Sequence, residues 1–143
     1  MSSENWLSDV LVEQSPDAIV FADLQGNIAV WSVAAERIFG FTKEEALGAS
    51  LDIIIPDSFR EAHWRGFKRA ISDRETKYVG QSLPTKSLRS DGSTIYVELS
   101  FSIVLDSAGN ALGALSSARD ITERFEEEKA NRRKLQKLEN VPK

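Results

Sequence analysis

Asp91-Gly-Ser-Thr-Ile-Tyr-Val-Glu-Leu-Ser-Phe-Ser-Ile103 is the stretch that decides the architecture. Asp91-Gly92 is a strong two-residue hairpin signal, because both residues accept the positive φ that such a turn requires. After it, Ile95, Val97, Leu99, Phe101 and Ile103 alternate with Thr94, Tyr96, Glu98, Ser100 and Ser102. A period of two with polar residues on one side marks a half-buried antiparallel strand. A strand is predicted before it over Tyr78–Leu88; it contains Pro84, which lacks an N–H and so suits an edge or a bulge. After it, Ser107-Ala-Gly-Asn110 turns the chain into a further strand over Ala111–Ala118.

Toward the N-terminus the period changes. Glu4–Glu13 reads as a short amphipathic helix with Trp6, Val10 and Leu7 on one face, broken by Ser15-Pro16. Ala18–Ala22 and Ile28–Trp31 are strands joined by Asp23-Leu-Gln-Gly-Asn27, a hairpin. Ser32 can cap a short helix that Gly40 ends. Thr42-Lys-Glu-Glu45 is a capping box opening a second short helix that stops at Gly48. Leu51–Ile55 is read as a buried apolar segment. Ser58-Phe-Arg-Glu61 has capping-box spacing for a helix running to about Ile71. At the other end, Asp120-Ile-Thr-Glu123 is a third box, opening a charged helix of about 18 residues. Two strands, several short helices, three antiparallel strands and a final helix make an α+β architecture: a five-stranded antiparallel sheet with short helices on one face, flanked by N- and C-terminal helices. The division expected is 1–14 N-terminal flanking helix, 15–120 core domain and 121–143 C-terminal helix.

Composition narrows the function. The chain has 143 residues, 41% apolar and 28% charged, which suits one domain with a real core. A net charge of −4 argues against a non-specific nucleic-acid binder. No apolar run is long enough to span a bilayer, and Met1–Trp6 lacks the basic and apolar regions of a signal peptide. The cytoplasm is the expected setting, with neither membrane nor nucleic acid as a partner. There is no cysteine, which excludes disulfides, thiolate-bound metals and cysteinyl adducts of a flavin or other chromophore. No phosphate loop, nucleophile elbow or metal-spaced cluster is visible, so catalysis is not expected.

Six local motifs, in order over residues 8–125, resemble the PAS family of sensory domains. They are Ser15-Pro-Asp-Ala-Ile19, Asp23-Leu-Gln-Gly-Asn-Ile28, Trp31-Ser-Val-Ala-Ala-Glu36, Phe39-Gly-Phe-Thr-Lys-Glu-Glu-Ala-Leu-Gly48, Arg89-Ser-Asp-Gly92 and Arg119-Asp-Ile-Thr-Glu-Arg124. One departure is Ser32, where the family most often has Asn. The resemblance implies a signalling role: a small ligand or cofactor held in the cup of the sheet, dimerisation through flanking helices, and an effector biased by both.

The single histidine bears on the cofactor. Phe59, His63, Phe67 and Ile71 recur every four residues on the helix after Ser58, so they share one face. A neutral imidazole from an apolar wall is what a haem iron takes as proximal ligand. Ile54-Ile-Pro-Asp-Ser-Phe-Arg-Glu-Ala-His63 also resembles the corresponding helix of haem-binding oxygen-sensor PAS kinases, whose proximal histidine likewise lies seven residues after the proline. That resemblance implies iron ligation by His63 and a propionate contact from Arg69; Lys77 is the candidate here for the second anionic contact. Leu83 stands about where those sensors carry a distal arginine, which leaves carbon monoxide, nitric oxide or redox state open as the signal beside oxygen. A lone histidine on an apolar helix face is also an ordinary core or rim residue. Trp31 and Tyr78 are candidates for stacking on a flavin, or are simply core. An organic ligand anchored by Arg69, Arg65 or Ser82, or no ligand at all, are the other readings.

On the last helix, Ile121, Phe125, Glu128, Arg132, Leu135 and Leu138 lie near heptad spacing, with Glu128 and Arg132 breaking the seam. A homodimer is expected through Trp6, Val10, Ile121 and Phe125. With no kinase, cyclase or DNA-binding segment after Lys143, the chain is expected to be a sensor module, excised or stand-alone. Its effector, such as a histidine kinase or regulator, would lie in cis or in trans. The alternative is a cofactor-free interaction domain.

Overall fold

The computed structural model describes residues 5–77 and 80–139. A five-stranded antiparallel sheet runs in the order β2-β1-β5-β4-β3, with β1 Ala18–Asp23, β2 Ile28–Trp31, β3 Leu83–Leu88, β4 Thr94–Leu105 and β5 Ala111–Asp120. The helices are α1 Asn5–Gln14, α2 Val33–Phe39, α3 Lys43–Ala46, α4 Arg60–Asp73 and α5 Thr122–Glu139. The α+β reading holds, and β3, the strand with Pro84, is an edge.

The short helices form where their caps allow. Ser32 is fully buried, and its Oγ accepts both the Ala35 N–H (3.3 Å) and the Ile19 N–H (2.9 Å), so one hydroxyl caps α2 and ties it to β1. Gly40 closes α2 at φ 83°. Both arms of the Thr42–Glu45 capping box are present at α3. Trp31, Phe39 and Val97 are sealed at the centre of the core, with Trp31 Nε1 donating to the Phe41 carbonyl at 2.9 Å. The outer edge of β2 is met by the chain after α3, through Ile28 N–H to Ala49 O and Gly48 N–H to Ile28 O.

Four local expectations need correction. The Ser58 box does not form: a 3-10 turn over Asp57–Phe59 follows Pro56, and α4 starts at Arg60 without a side-chain cap. Leu51–Ile54 is a 3-10 turn capped by Ser50, in which only Leu51 is buried. The strand predicted from Tyr78 begins at Leu83; Tyr78 itself lies outside the described residues. The Asp91-Gly92 turn is longer than two residues, because Arg89 N–H meets Ser93 O and Gly92 N–H meets Arg89 O. The same two bonds recur at Asp23–Asn27 and Asp106–Asn110, with Gly26, Gly92 and Gly109 at φ 81°, 84° and 85°. All three hairpins are thus one construction, a tight turn completed by a left-handed glycine.

The third capping box is also modified. α5 begins at Thr122, whose N–H and Oγ–H both reach Asp120 Oδ1, while Thr122 Oγ1 accepts from Tyr96 N–H. The helix is therefore rooted on β4.

Candidate functional site

α4 lies across the sheet face formed by β4 and β5, and a cavity of about 680 Å³ opens between them. That volume falls within the roughly 300–1,000 Å³ of small-molecule sites. Its floor is the inward face of the strands, Leu99, Phe101 and Ile103 of β4 with Ala114 and Ser116 of β5. The period of two placed the β4 residues on one face, but only the docking of α4 shows that they line a space. Its roof is α4: His63, Phe67 and Ala70 inward, Ala62, Gly66 and Arg69 toward the mouth.

The far rim is made by the end of α4. Arg74 takes a left-handed conformation, φ 62°, and its N–H bonds back to Ala70 and Ile71 carbonyls. This reversal brings Glu75, Thr76 and Lys77 over the cavity, with Thr76 buried.

His63 is set by its neighbours. Trp64 packs edge-on against it, ring centroids 4.6 Å apart, and Phe67 lies at 6.0 Å. Trp64 is itself fixed twice. Its Nε1 donates to Asp52 Oδ1 at 2.7 Å, and its ring lies over Gly26 so closely that a Cβ there would fall 2.2 Å from the indole. The first hairpin and the 3-10 turn at Asp52 together fix the rotation of α4. Burial pushes the His63 imidazole below its ordinary pKa, and the nearby Asp52 charge only partly opposes this. Its Nδ1 is buried and has no hydrogen-bond partner among the described residues. Such an atom is expensive to leave unpaired in an otherwise satisfied interior.

The other expected residues divide. Phe67, Arg69 and Lys77 line the cavity with His63, as does Arg65. Phe59 does not: it ends the 3-10 turn before α4 rather than standing on the helix, and it is 48% exposed. Ile71, at the other end of the series, packs on the core beside the cavity. Leu83 sits opposite Leu99 in the ladder, so it flanks the floor rather than lining it. Trp31 is sealed at 1% exposure and reaches no ligand. Ser82 bonds Glu98 at 2.6 Å, away from the cavity lining. Of the residues expected at a dimer interface, Trp6 and Val10 are exposed, whereas Ile121 is buried with its N–H on Tyr96 O. Phe125 stacks on Tyr96 at 4.0 Å. Sequence reasoning missed Gly66 and Ser116 at the cavity, since nothing in their local pattern marks them.

Among the described residues, no group of three His, Cys, Asp or Glu side chains is placed to hold a metal ion, and no helix is long and apolar enough to cross a membrane.

A family model for the PAS fold matches residues 8–121. The chain belongs to the PAS family. Among relatives, an uncharacterized protein of Azorhizobium caulinodans is 32% identical over 129 residues, 90% of this chain and 17% of that protein. The sensor protein FixL of Bradyrhizobium diazoefficiens is 33% identical over 85 residues, 59% of this chain and 17% of FixL. The oxygen sensor protein DosP of Escherichia coli is 27% identical over 109 residues, 76% of this chain and 13% of DosP. The chain thus spans less than a fifth of each of these proteins. A PAS domain from Colwellia psychrerythraea superposes with a TM-score of 0.73 at 24% identity, covering 85% of this chain and 99% of that one. This PAS chain is a sensory domain of the kind that occurs in signalling proteins.

Proposed function

We propose that this PAS domain senses a small ligand or cofactor state in the cavity under α4, and that haem b is the cofactor, with His63 as its iron ligand. The observation that carries this reading is His63 itself: an imidazole held neutral by burial, in the wall of a ligand-sized cavity. Arg69 and Lys77 line the same cavity and suit the two propionates, which share one edge of the porphyrin. The likeness to FixL and DosP supports it. Bound haem supplies an iron with an open position for a diatomic gas or a change of redox state. The protein's part is to orient the imidazole through Trp64 and Asp52, exclude water with Leu99, Phe101 and Ile103, and hold the acidic edge at the mouth.

Leu83, beside the floor, offers no hydrogen-bond donor, so oxygen, carbon monoxide, nitric oxide and redox state all stand as signals. Trp31 is buried and not free to stack on a flavin, and without cysteine no flavin–cysteinyl adduct forms. The module is non-catalytic and cytoplasmic, engaging neither nucleic acid nor membrane. It passes its state through α5 to an effector such as a histidine kinase or regulator, in cis or in trans. It works as a homodimer, supported by the exposed Trp6 and Val10 of α1 and by Leu135 and Leu138 of α5.

The test is the visible spectrum of protein purified from haem-replete cells. A Soret band that is lost in His63→Ala supports the reading. Colourless protein that also fails to take up added hemin contradicts it.

A further inference from the structure

The mouth of the cavity contains a residue the fold does not need. Gly66 stands in the interior of α4, where glycine costs about 1 kcal/mol relative to alanine. Two reasons usually justify such a glycine, a positive φ or a neighbour too close for a Cβ. Neither applies: its φ is not in the positive range, and a Cβ built on it meets nothing within 4 Å. Its neighbours one turn away on either side, Ala62 and Ala70, also line the cavity and carry only methyl groups. Ala62, Gly66 and Ala70 thus put no side chain larger than a methyl group on this part of the roof, in the same cavity as the ring-bearing His63, Phe67 and Phe101.

We propose that Gly66 is the opening through which the cavity takes its ligand, and that it selects a flat, ring-bearing molecule with an anionic edge. The proposal rests on the reading of the cavity as a ligand site but does not require haem. The ring class follows from the aromatic wall, against which a planar molecule stacks or packs edge-on. The anionic edge follows from Arg69, three residues beyond Gly66 and exposed at the same mouth, which makes no hydrogen bond or ion pair among the described residues. Arg65 adds a second cation, only loosely engaged by Glu61 at 3.7 Å across an exposed pair. Of the acidic side chains of the cavity, Asp73 stands one turn beyond Arg69 and Glu75 past the end of α4, so an acid edge is best placed on the N-terminal side of Arg69, toward Arg65.

The experiment is titration of wild type, Gly66→Ala, Gly66→Leu and His63→Ala with two probes, hemin and anilinonaphthalene sulfonate, alongside circular dichroism and thermal unfolding. Gly66→Ala should raise Tm by about 2–4 °C, because the helix gains and nothing clashes. Gly66→Leu, folded by circular dichroism, should weaken both probes about tenfold or more, with Gly66→Ala intermediate. Binding and stability thus move in opposite directions, which a purely structural glycine does not produce. Wild type that binds the sulfonate but not hemin overturns the haem reading, and the Gly66 variants then decide the proposal on the sulfonate alone. Gly66→Leu that binds the sulfonate as wild type does overturns the proposal. So does wild type that binds neither probe.

Discussion

His63 carries a pH dependence whose sign follows from its surroundings. Burial lowers its folded pKa below the ordinary imidazole value of 6.5. Between that lowered value and 6.5 the unfolded chain holds a proton that the folded chain does not, so stability falls as pH drops through this window. There is one histidine in the chain, so the imidazole part of the slope belongs to it, and His63→Phe separates it from the carboxylates. Chemical denaturation at pH 7.5, 6.5 and 5.5 should show stability decreasing, and His63→Phe should flatten that decrease. A wild-type curve already flat from 7.5 to 5.5 contradicts the burial of the imidazole. Ser32 is the second residue whose role is sharp. Ser32→Ala leaves the Ile19 and Ala35 N–H groups without their acceptor in a fully buried place, so a loss of about 1–3 kcal/mol is expected in urea unfolding. A change below about 0.5 kcal/mol would contradict the double role of the hydroxyl.

At the scale of elements, α4 depends on its two ends. At the front, Asp52 and Gly26 fix Trp64, so Asp52→Ala should loosen the helix and weaken hemin binding without touching the cavity lining. Hemin titration checks this, and affinity equal to wild type contradicts the positioning of His63 through Trp64. At the back, Arg74 holds a conformation that costs a non-glycine residue about 1 kcal/mol. Arg74→Gly should therefore stabilise the domain by about 0.5–1 kcal/mol in denaturant, whereas destabilisation contradicts the left-handed turn.

What was legible in the sequence also divides by element. The alternation from Ile95 to Ile103, the caps at Ser32, Gly40 and Thr42, and the edge character of Pro84 are local signals, and each matches the structure. Ser58-Phe-Arg-Glu61 had the spacing of a cap, but Pro56 commits the chain to a 3-10 turn first, and spacing alone does not reveal that. The cavity was half legible. A four-residue repeat brought out His63 and Phe67, then misplaced Phe59 because the helix begins only at Arg60 and Phe59 belongs to the 3-10 turn before it. Ser116 and Gly66 emerge only when α4 is docked on β4 and β5, a tertiary fact without a local pattern. Ile121 and Phe125 looked alike on a heptad, yet one is core and the other stacks on Tyr96, since the root of α5 folds back onto β4.

For the whole molecule, the arrangement sets the cavity on one side of β4 and the root of α5 on the other. Leu99, Phe101 and Ile103 of β4 floor the cavity, while Tyr96 and Glu98 hold Phe125 and Arg124 of α5. One strand thus touches both the cavity and α5, which is the route that the proposed signal output would take. The most direct test is amide hydrogen exchange of the intact chain with and without bound hemin. The account predicts slowed exchange in residues 62–77 and along 95–103, together with a change at 121–125. Protection confined to the sheet face away from α4, or no change in α4 at all, would contradict it.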